Sequence, residues 1–129
     1  MGFDLYGIKA KSERGEYFRN NIWWWYPLWA YVCDVCGDIL TEKDCSGGQF
    51  NNGYEINNSK AKKIAKKLFE ALEENGGKKY EDALEAEKNY LKKRSEKLKT
   101  ASDEEACFSK ENIKEFAEFC RTSGGFTIH

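Results

Sequence analysis

The chain has 129 residues, with 21 basic and 22 acidic side chains, a formal net charge of −1, 33% charged residues and 15% aromatic residues. That length gives one domain with room for a core, the aromatic content excludes a disordered chain, and no apolar run approaches the roughly 20 residues of a membrane-spanning helix. Five cysteines, an odd number, and no charged-then-apolar leader in Met1 to Ala10 fit an intracellular chain that uses its thiols for metal ligation or buries them.

The opening, Met1 to Ile8, alternates: Phe3 and Leu5 fall on one side and Asp4 and Tyr6 on the other, the period of a half-buried strand. Lys9 to Gly15 is polar and reads as a loop. Tyr17 to Trp25 is aromatic and extended or irregular, because Asn20-Asn21 interrupts any helical period. Pro27, the only proline, suits the first position of a short helix over about Leu28 to Val32, where its missing N–H costs nothing. All four tryptophans, Trp23, Trp24, Trp25 and Trp29, lie in this stretch, and rings of that size set where other elements dock.

Asp38 to Ser59 is rich in Gly and Asn, and Asn52-Gly53 between Phe50 and Tyr54 is a turn signal that predicts a short hairpin. From Lys60 to Asn75 the residues Ala61, Ile64, Ala65, Leu68, Phe69 and Leu72 follow helical spacing, with Ser59 as N-cap and Gly76-Gly77 as terminator. A second helix over about Tyr80 to Leu98 has a thin inner stripe of Tyr80, Ala83, Leu84, Glu87, Tyr90, Leu91 and Leu98, so the two form a charged helical hairpin insertion at about 60–99. An acidic loop with Asp103, Glu104 and Glu105 follows. Ser109 caps a third helix that buries Ile113, Phe116, Ala117 and Cys120, and Phe126 to His129 alternates as a closing strand. The fold class is α+β: a small sheet from the two chain ends and three main helices in one domain, residues 1–129, held by a structural zinc.

The zinc expectation rests on Cys33-x-x-Cys36-Gly37, a turn that supplies two thiolates, with Gly37 free to take a positive φ. The other ligands come from Cys45, Cys107, Cys120 and His129, the only histidine; the set Cys33, Cys36, Cys120 and His129 would tie the aromatic segment to the third helix and the closing strand. The bland alternative is that Cys120 is a small core residue and that His129 frays at the end of the strand. A redox role for the pair lacks the strand-turn-helix setting that lowers a thiol pKa. Catalytic zinc lacks the H-x-E and P-C-x-x-C pattern, and a hydrolase lacks a histidine within the fold, so an enzyme is disfavoured.

Charge is uneven along the chain. Residues 1–59 hold 5 basic and 8 acidic side chains, residues 60–100 hold 13 and 8, and residues 101–129 hold 3 and 6. The basic middle allows two readings. Lys63, Lys67 and Lys93 would contact a protein partner from a rigid hairpin, or Lys60, Lys62, Lys63, Lys66 and Lys67 would meet phosphates as part of a nucleic-acid accessory protein. Neither a membrane nor a small-molecule substrate is expected.

The stretches M-G-F-D-L-Y-G, G-E-Y-F-R-N-N-I-W-W-W-Y-P-L-W-A-Y-V-C from Gly15 to Cys33, and F-A-E-F-C-R-T-S-G-G-F-T-I-H from Phe116 to His129 resemble a family of small tailed-phage proteins. The resemblance covers roughly the first 37 and last 20 residues and leaves out the lysine-rich helices. In the family the final position is typically cysteine, so the exchange to His129 implies a ligand position; Cys33 and Cys120 also fall on family cysteines. Larger members carry extra C-x-x-C pairs that are missing here, which weakens a zinc-ribbon or nucleic-acid reading. Small phage proteins of this kind include zinc-containing anti-CRISPR inhibitors of Cas9. The resemblance therefore implies a non-enzymatic binder of a host protein such as Cas9, acting in the cytoplasm of the infected bacterium.

Overall fold

The alternation at the start of the chain becomes strand β1, Gly2–Gly7, which buries Phe3 and Leu5 and exposes Tyr6. The computed structural model describes residues 2–75, 77–94 and 107–129. A turn of 3-10 helix at Glu13–Gly15 returns the chain into β2, Tyr17–Asn21, antiparallel to β1 with Leu5 opposite Phe18 and Tyr6 opposite Tyr17. The last strand, Phe126–Ile128, lies on the other edge of β1, with Leu5 opposite Ile128. Tyr54–Ile56 adds beyond it. Numbered in chain order, with Tyr54–Ile56 as β3 and Phe126–Ile128 as β4, the antiparallel sheet runs β2-β1-β4-β3. The two chain ends thus pair at its centre, as expected. The expected hairpin at Asn52-Gly53 is replaced by pairing with β4: Gly53 takes φ 95° and leads into β3, while its N–H donates to the Ile128 carbonyl at 2.7 Å.

The aromatic segment departs most from expectation. The extended expectation holds for Tyr17–Asn21, which is β2, but from Ile22 the chain is one helix, α1, Ile22–Val35, rather than an extended or irregular run to Trp25 followed by a short helix over Leu28 to Val32. Asn20 and Asn21 end β2, and Asn21 then caps the helix, its side chain accepting from the N–H groups of Trp23 and Trp24 at 3.1 Å each. Pro27 therefore lies inside the helix, where it removes one backbone hydrogen bond. Burial of Trp25, Leu28, Trp29, Tyr31 and Val32 on the same helix offsets that loss. The Trp25 ring stacks on Phe3 at 5.5 Å and on Trp29 at 5.3 Å, which seats α1 beneath the sheet.

A second helix, α2, Glu42–Gly47, lies in the Gly- and Asn-rich stretch from Asp38 to Ser59, where no helix was expected. Thr41 and Asp44 form a reciprocal capping box at its start. Two indoles hold it against α1: Trp25 Nε1 donates to the Gly48 carbonyl at 2.8 Å and Trp29 Nε1 to the Cys45 carbonyl at 2.9 Å.

Helix α3, Asn58–Glu73, buries Ala61, Ile64, Ala65 and Leu68, and its cap is Asn57 rather than Ser59, accepting from the Lys60 N–H at 2.9 Å. Helix α4, Gly77–Arg94, follows; the expected extension to Leu98 and the acidic loop lie outside the described residues. Helix α5, Lys110–Thr122, is capped by Ser109 and buries Ile113, Phe116, Ala117 and Cys120 as the spacing predicts. Gly124 and Gly125, at φ 71° and 95°, turn the chain from α5 into β4, a conformation that glycine takes without the penalty of a Cβ. The expected hairpin packs differently: α3 lies mainly against α5, whereas α4 lies against α1. The described part of the fold is thus α+β with five α-helices on a four-stranded antiparallel sheet, and no described helix is long and apolar enough to cross a membrane.

Candidate functional site

Three surfaces carry chemistry: the cysteines around the end of α1, the outer face of the sheet, and a groove between α1 and α4. At the first, Cys33 lies in the last turn of α1 and Cys36 is the residue that ends it, with its N–H donated to the Val32 carbonyl at 2.8 Å. The pair therefore sits on a helix end and not in an open loop. Gly37 keeps out of the positive-φ region, because the chain leaves the helix through amides of Ile39 and Leu40 that donate to the Cys36 carbonyl at 2.9 Å each. Cys33 is joined to Cys45 of α2 by a disulfide, with a Cα separation of 6.0 Å.

Cys36 and Cys120 are thiols with no exposed surface. Burial pushes the Cys36 thiol up to about 12, with the charge of Asp38 adding to the shift and Lys67 and Lys79 opposing it. Burial likewise raises Cys120, and Cys36 is close enough for its charge to be felt there. His129 stands elsewhere. Ile128 is fully buried on the inner face, so the next residue falls on the solvent face. There the His129 imidazole meets the Thr127 hydroxyl at 3.1 Å and the edge of the Tyr6 ring at 5.5 Å. The quartet Cys33, Cys36, Cys120 and His129 is therefore not brought together, because strand alternation turns His129 away from the core that holds Cys120. With Cys33 and Cys45 bonded to each other, no group of three or more His, Cys, Asp and Glu side chains among the described residues is arranged to hold a metal ion.

The outer face of the sheet also carries Tyr6, Tyr17, Arg19 and Asp4. The Tyr6 and Tyr17 rings lie 5.4 Å apart. Asp4 accepts from the Tyr17 hydroxyl and from Arg19 Nη1, the latter at 2.7 Å. These hydrogen bonds, from Tyr17 first and Arg19 second, hold the Asp4 carboxyl below its usual range.

The groove between α1 and α4 has a volume of about 570 Å³ and is walled by Ile22, Trp23, Tyr26, Pro27, Ala83 and Tyr90. Trp23, Tyr26 and Tyr90 are 46%, 43% and 52% exposed, so the groove gathers three large, half-exposed rings on one surface. Glu87 lies in the same groove, its carboxyl raised by burial. Two of the expected contact lysines, Lys63 and Lys93, are exposed, while Lys67 Nζ is held by Asp38 at 3.2 Å. Sequence reasoning missed this groove because its two walls become neighbours only through the packing of α4 on α1. It also set Cys45 aside, although the Thr41-x-x-Asp44 capping box was a readable sign that Cys45 lies on a helix. No protein-family model matches the chain, and no curated protein or solved structure matches it.

Proposed function

We propose that the chain is a protein-binding module that acts by occupying its partner rather than by chemistry of its own, and that the partner docks in the α1–α4 groove. The observation that carries this reading is the ring of half-exposed Trp23, Tyr26 and Tyr90 around an apolar floor. Trp and Tyr are the residue types that dominate binding energy when a partner covers them, because they bury large rigid area at small entropic cost. Lys93 on α4 and Lys63 on α3 add exposed cations that steer an acidic partner. The resemblance to small tailed-phage proteins makes a host nuclease of the Cas9 type the first partner to test, in the cytoplasm of the infected bacterium.

The test is co-purification with Cas9 orthologues, alone and with guide RNA, alongside a DNA-cleavage assay. Binding and inhibition are expected for the wild-type chain, and loss of both with an unchanged melting temperature for the Trp23→Ala, Tyr90→Ala double variant. Reversal of Lys63 or Lys93 to Glu should weaken binding more gently. Equal inhibition by wild type and the groove variant would refute the groove as the docking site, and absence of any complex would remove this class of partner.

A second reading is favoured by the outer face of the sheet. The Tyr6 ring lies tilted beside Tyr17 and meets His129 edge-on, with Arg19 on the neighbouring strand bonded to Asp4, an aromatic and cationic surface on which unpaired bases can stack. On this reading the protein is a nucleic-acid accessory factor. Fluorescence anisotropy with a labelled single strand should then show binding that weakens steeply with salt and is lost on Tyr6→Ala.

A further inference from the structure

Strand β2 is an edge of the sheet: β1 lies on one side of it, and among the described residues no strand lies on the other. Its register with β1 decides which backbone groups are occupied. The Gly7 N–H donates to the Glu16 carbonyl at 3.0 Å, which makes Gly7 and Glu16 a hydrogen-bonded pair just before the strand. Such pairs recur at every second position of an antiparallel ladder. Phe18 therefore exchanges bonds with Leu5, and Asn20 with Phe3, whereas Tyr17 and Arg19 turn their N–H and C=O groups away from β1. The other edge of β1 has the complementary parity, since the His129 N–H donates to the Asp4 carbonyl at 2.7 Å. The Arg19 carbonyl accepts from the Asn20 side chain at 3.0 Å and keeps a second lone pair. The outward N–H groups of Tyr17 and Arg19 have no backbone partner among the described residues.

Two adjoining cavities of about 540 and 420 Å³ run along this edge, lined by all five residues of β2 on one side and by α5 on the other. The Asn20 and Asn112 side-chain amides donate to one another at 3.1 and 2.9 Å, which holds α5 alongside the strand. Glu111, Glu115 and Glu118 follow helical spacing on the α5 wall. Glu118 is paired with Arg14, and Arg19 with Asp4. Glu111 and Glu115 line both cavities and so stand at the middle of the groove. Both are exposed, and neither forms an ion pair among the described residues. Lys114 is the other unpaired charge of the described walls, so the groove keeps an excess of negative charge.

We propose that β2 is a strand-addition site: an extended, lysine- or arginine-bearing segment of a partner protein pairs with its free edge and sets cationic side chains against Glu111 and Glu115. The backbone groups of Tyr17 and Arg19 supply the bonding, and alternate side chains of the added strand supply the selectivity. Every second side chain of that strand lies on the α5 side of the sheet, the side on which Asn20 meets Asn112. A cation there meets two carboxylates that nothing else in the described groove neutralises. A second copy of the chain pairing through its own β2 would bring Phe18 and Asn20 to that side, and neither carries a charge. The site shares no lining residue with the α1–α4 groove and does not rest on it.

The test uses the full chain and a fluorescein-labelled peptide of alternating lysine and valine, with binding read by anisotropy and amide exchange by NMR. The peptide should bind about tenfold more tightly than its glutamate–valine counterpart, and the Glu111→Gln, Glu115→Gln double variant should lose about tenfold in affinity while remaining folded by circular dichroism. Saturating peptide should slow exchange of the Tyr17 and Arg19 amides about tenfold or more and leave the Phe18 and Asn20 amides, already bonded to β1, little changed. Should the double variant not fold, a lysine–valine peptide methylated on alternate backbone nitrogens decides the matter without altering the protein, because it keeps the charge and loses the strand bonds. Four results would each overturn the site: no binding of the lysine–valine peptide, equal binding of the methylated peptide, equal binding of the glutamate peptide, or binding that leaves the Tyr17 and Arg19 amides in fast exchange. Protection of those two amides without peptide, in a sample that sediments as a dimer, would overturn it in favour of a second copy on the edge.

Discussion

Replacing Asp44 by Asn should destabilise the fold by about 2 kcal/mol at neutral pH, with a pH dependence that identifies the cause. Asp44 is 4% exposed and joins three elements: its oxygens accept from the Thr41 N–H at 3.0 Å, from Tyr54 of β3 and from Lys60 of α3. Burial alone would raise its pKa. The bonds from Lys60, Tyr54 and Thr41 outweigh burial and bring it down from 3.8 to about 2. A fall of that size is worth about 2 kcal/mol, at roughly 1.4 kcal/mol per unit. Because the folded carboxyl is the stronger acid, the contribution is complete above pH 4 and lost as pH falls through about 2; at pH 3 about half remains. Asn keeps the shape and one acceptor but not the charge, so wild type and Asp44→Asn should converge in acid. Urea unfolding followed by tryptophan emission at pH 7, 4 and 3 measures the gap directly. A gap that stays constant from pH 7 to pH 3 would refute the electrostatic account and leave only a packing effect.

Deletion of residues 126–129 should unfold the domain and abolish its cooperative thermal transition by circular dichroism, because β4 lies between β1 and β3 and buries Phe126 and Ile128 completely. The loss of two large core side chains costs about 4 kcal/mol or more, of the order of the whole stability of a small domain; a wild-type melt would show that the sheet closes without them. Gly48→Ala should lower the urea midpoint by the equivalent of about 1 to 3 kcal/mol, since a Cβ there would fall inside the Trp29 indole while the same residue's carbonyl holds Trp25. An unchanged midpoint would mean that Trp29 does not pack on Gly48.

What the sequence determined by itself were the elements whose signal is local. The lysine-and-alanine spacing of α3 and the Ser109 cap with the Ile113, Phe116, Ala117, Cys120 face of α5 each name a buried side within one helix, and period-two alternation does the same for β1 and β4. Helix α1 hid itself because nearly every residue from Ile22 to Val35 is apolar, so no polar face marks its period, and Pro27 argued for a boundary where none exists. Strand β3 is three residues long and exists because β4 offers an open edge. The sites were decided by tertiary structure for the same reason. Composition could show that five cysteines and one histidine were available, but whether a thiol or an imidazole meets Cys33 depends on which way a side chain faces. Strand alternation sends His129 to the solvent face of the sheet, and the indoles of Trp25 and Trp29 carry α2, with Cys45, to the end of α1. The groove has the same origin: Trp23 and Tyr90 are 67 positions apart and share a surface only because α4 packs on α1, a contact that neither helix's own pattern contains.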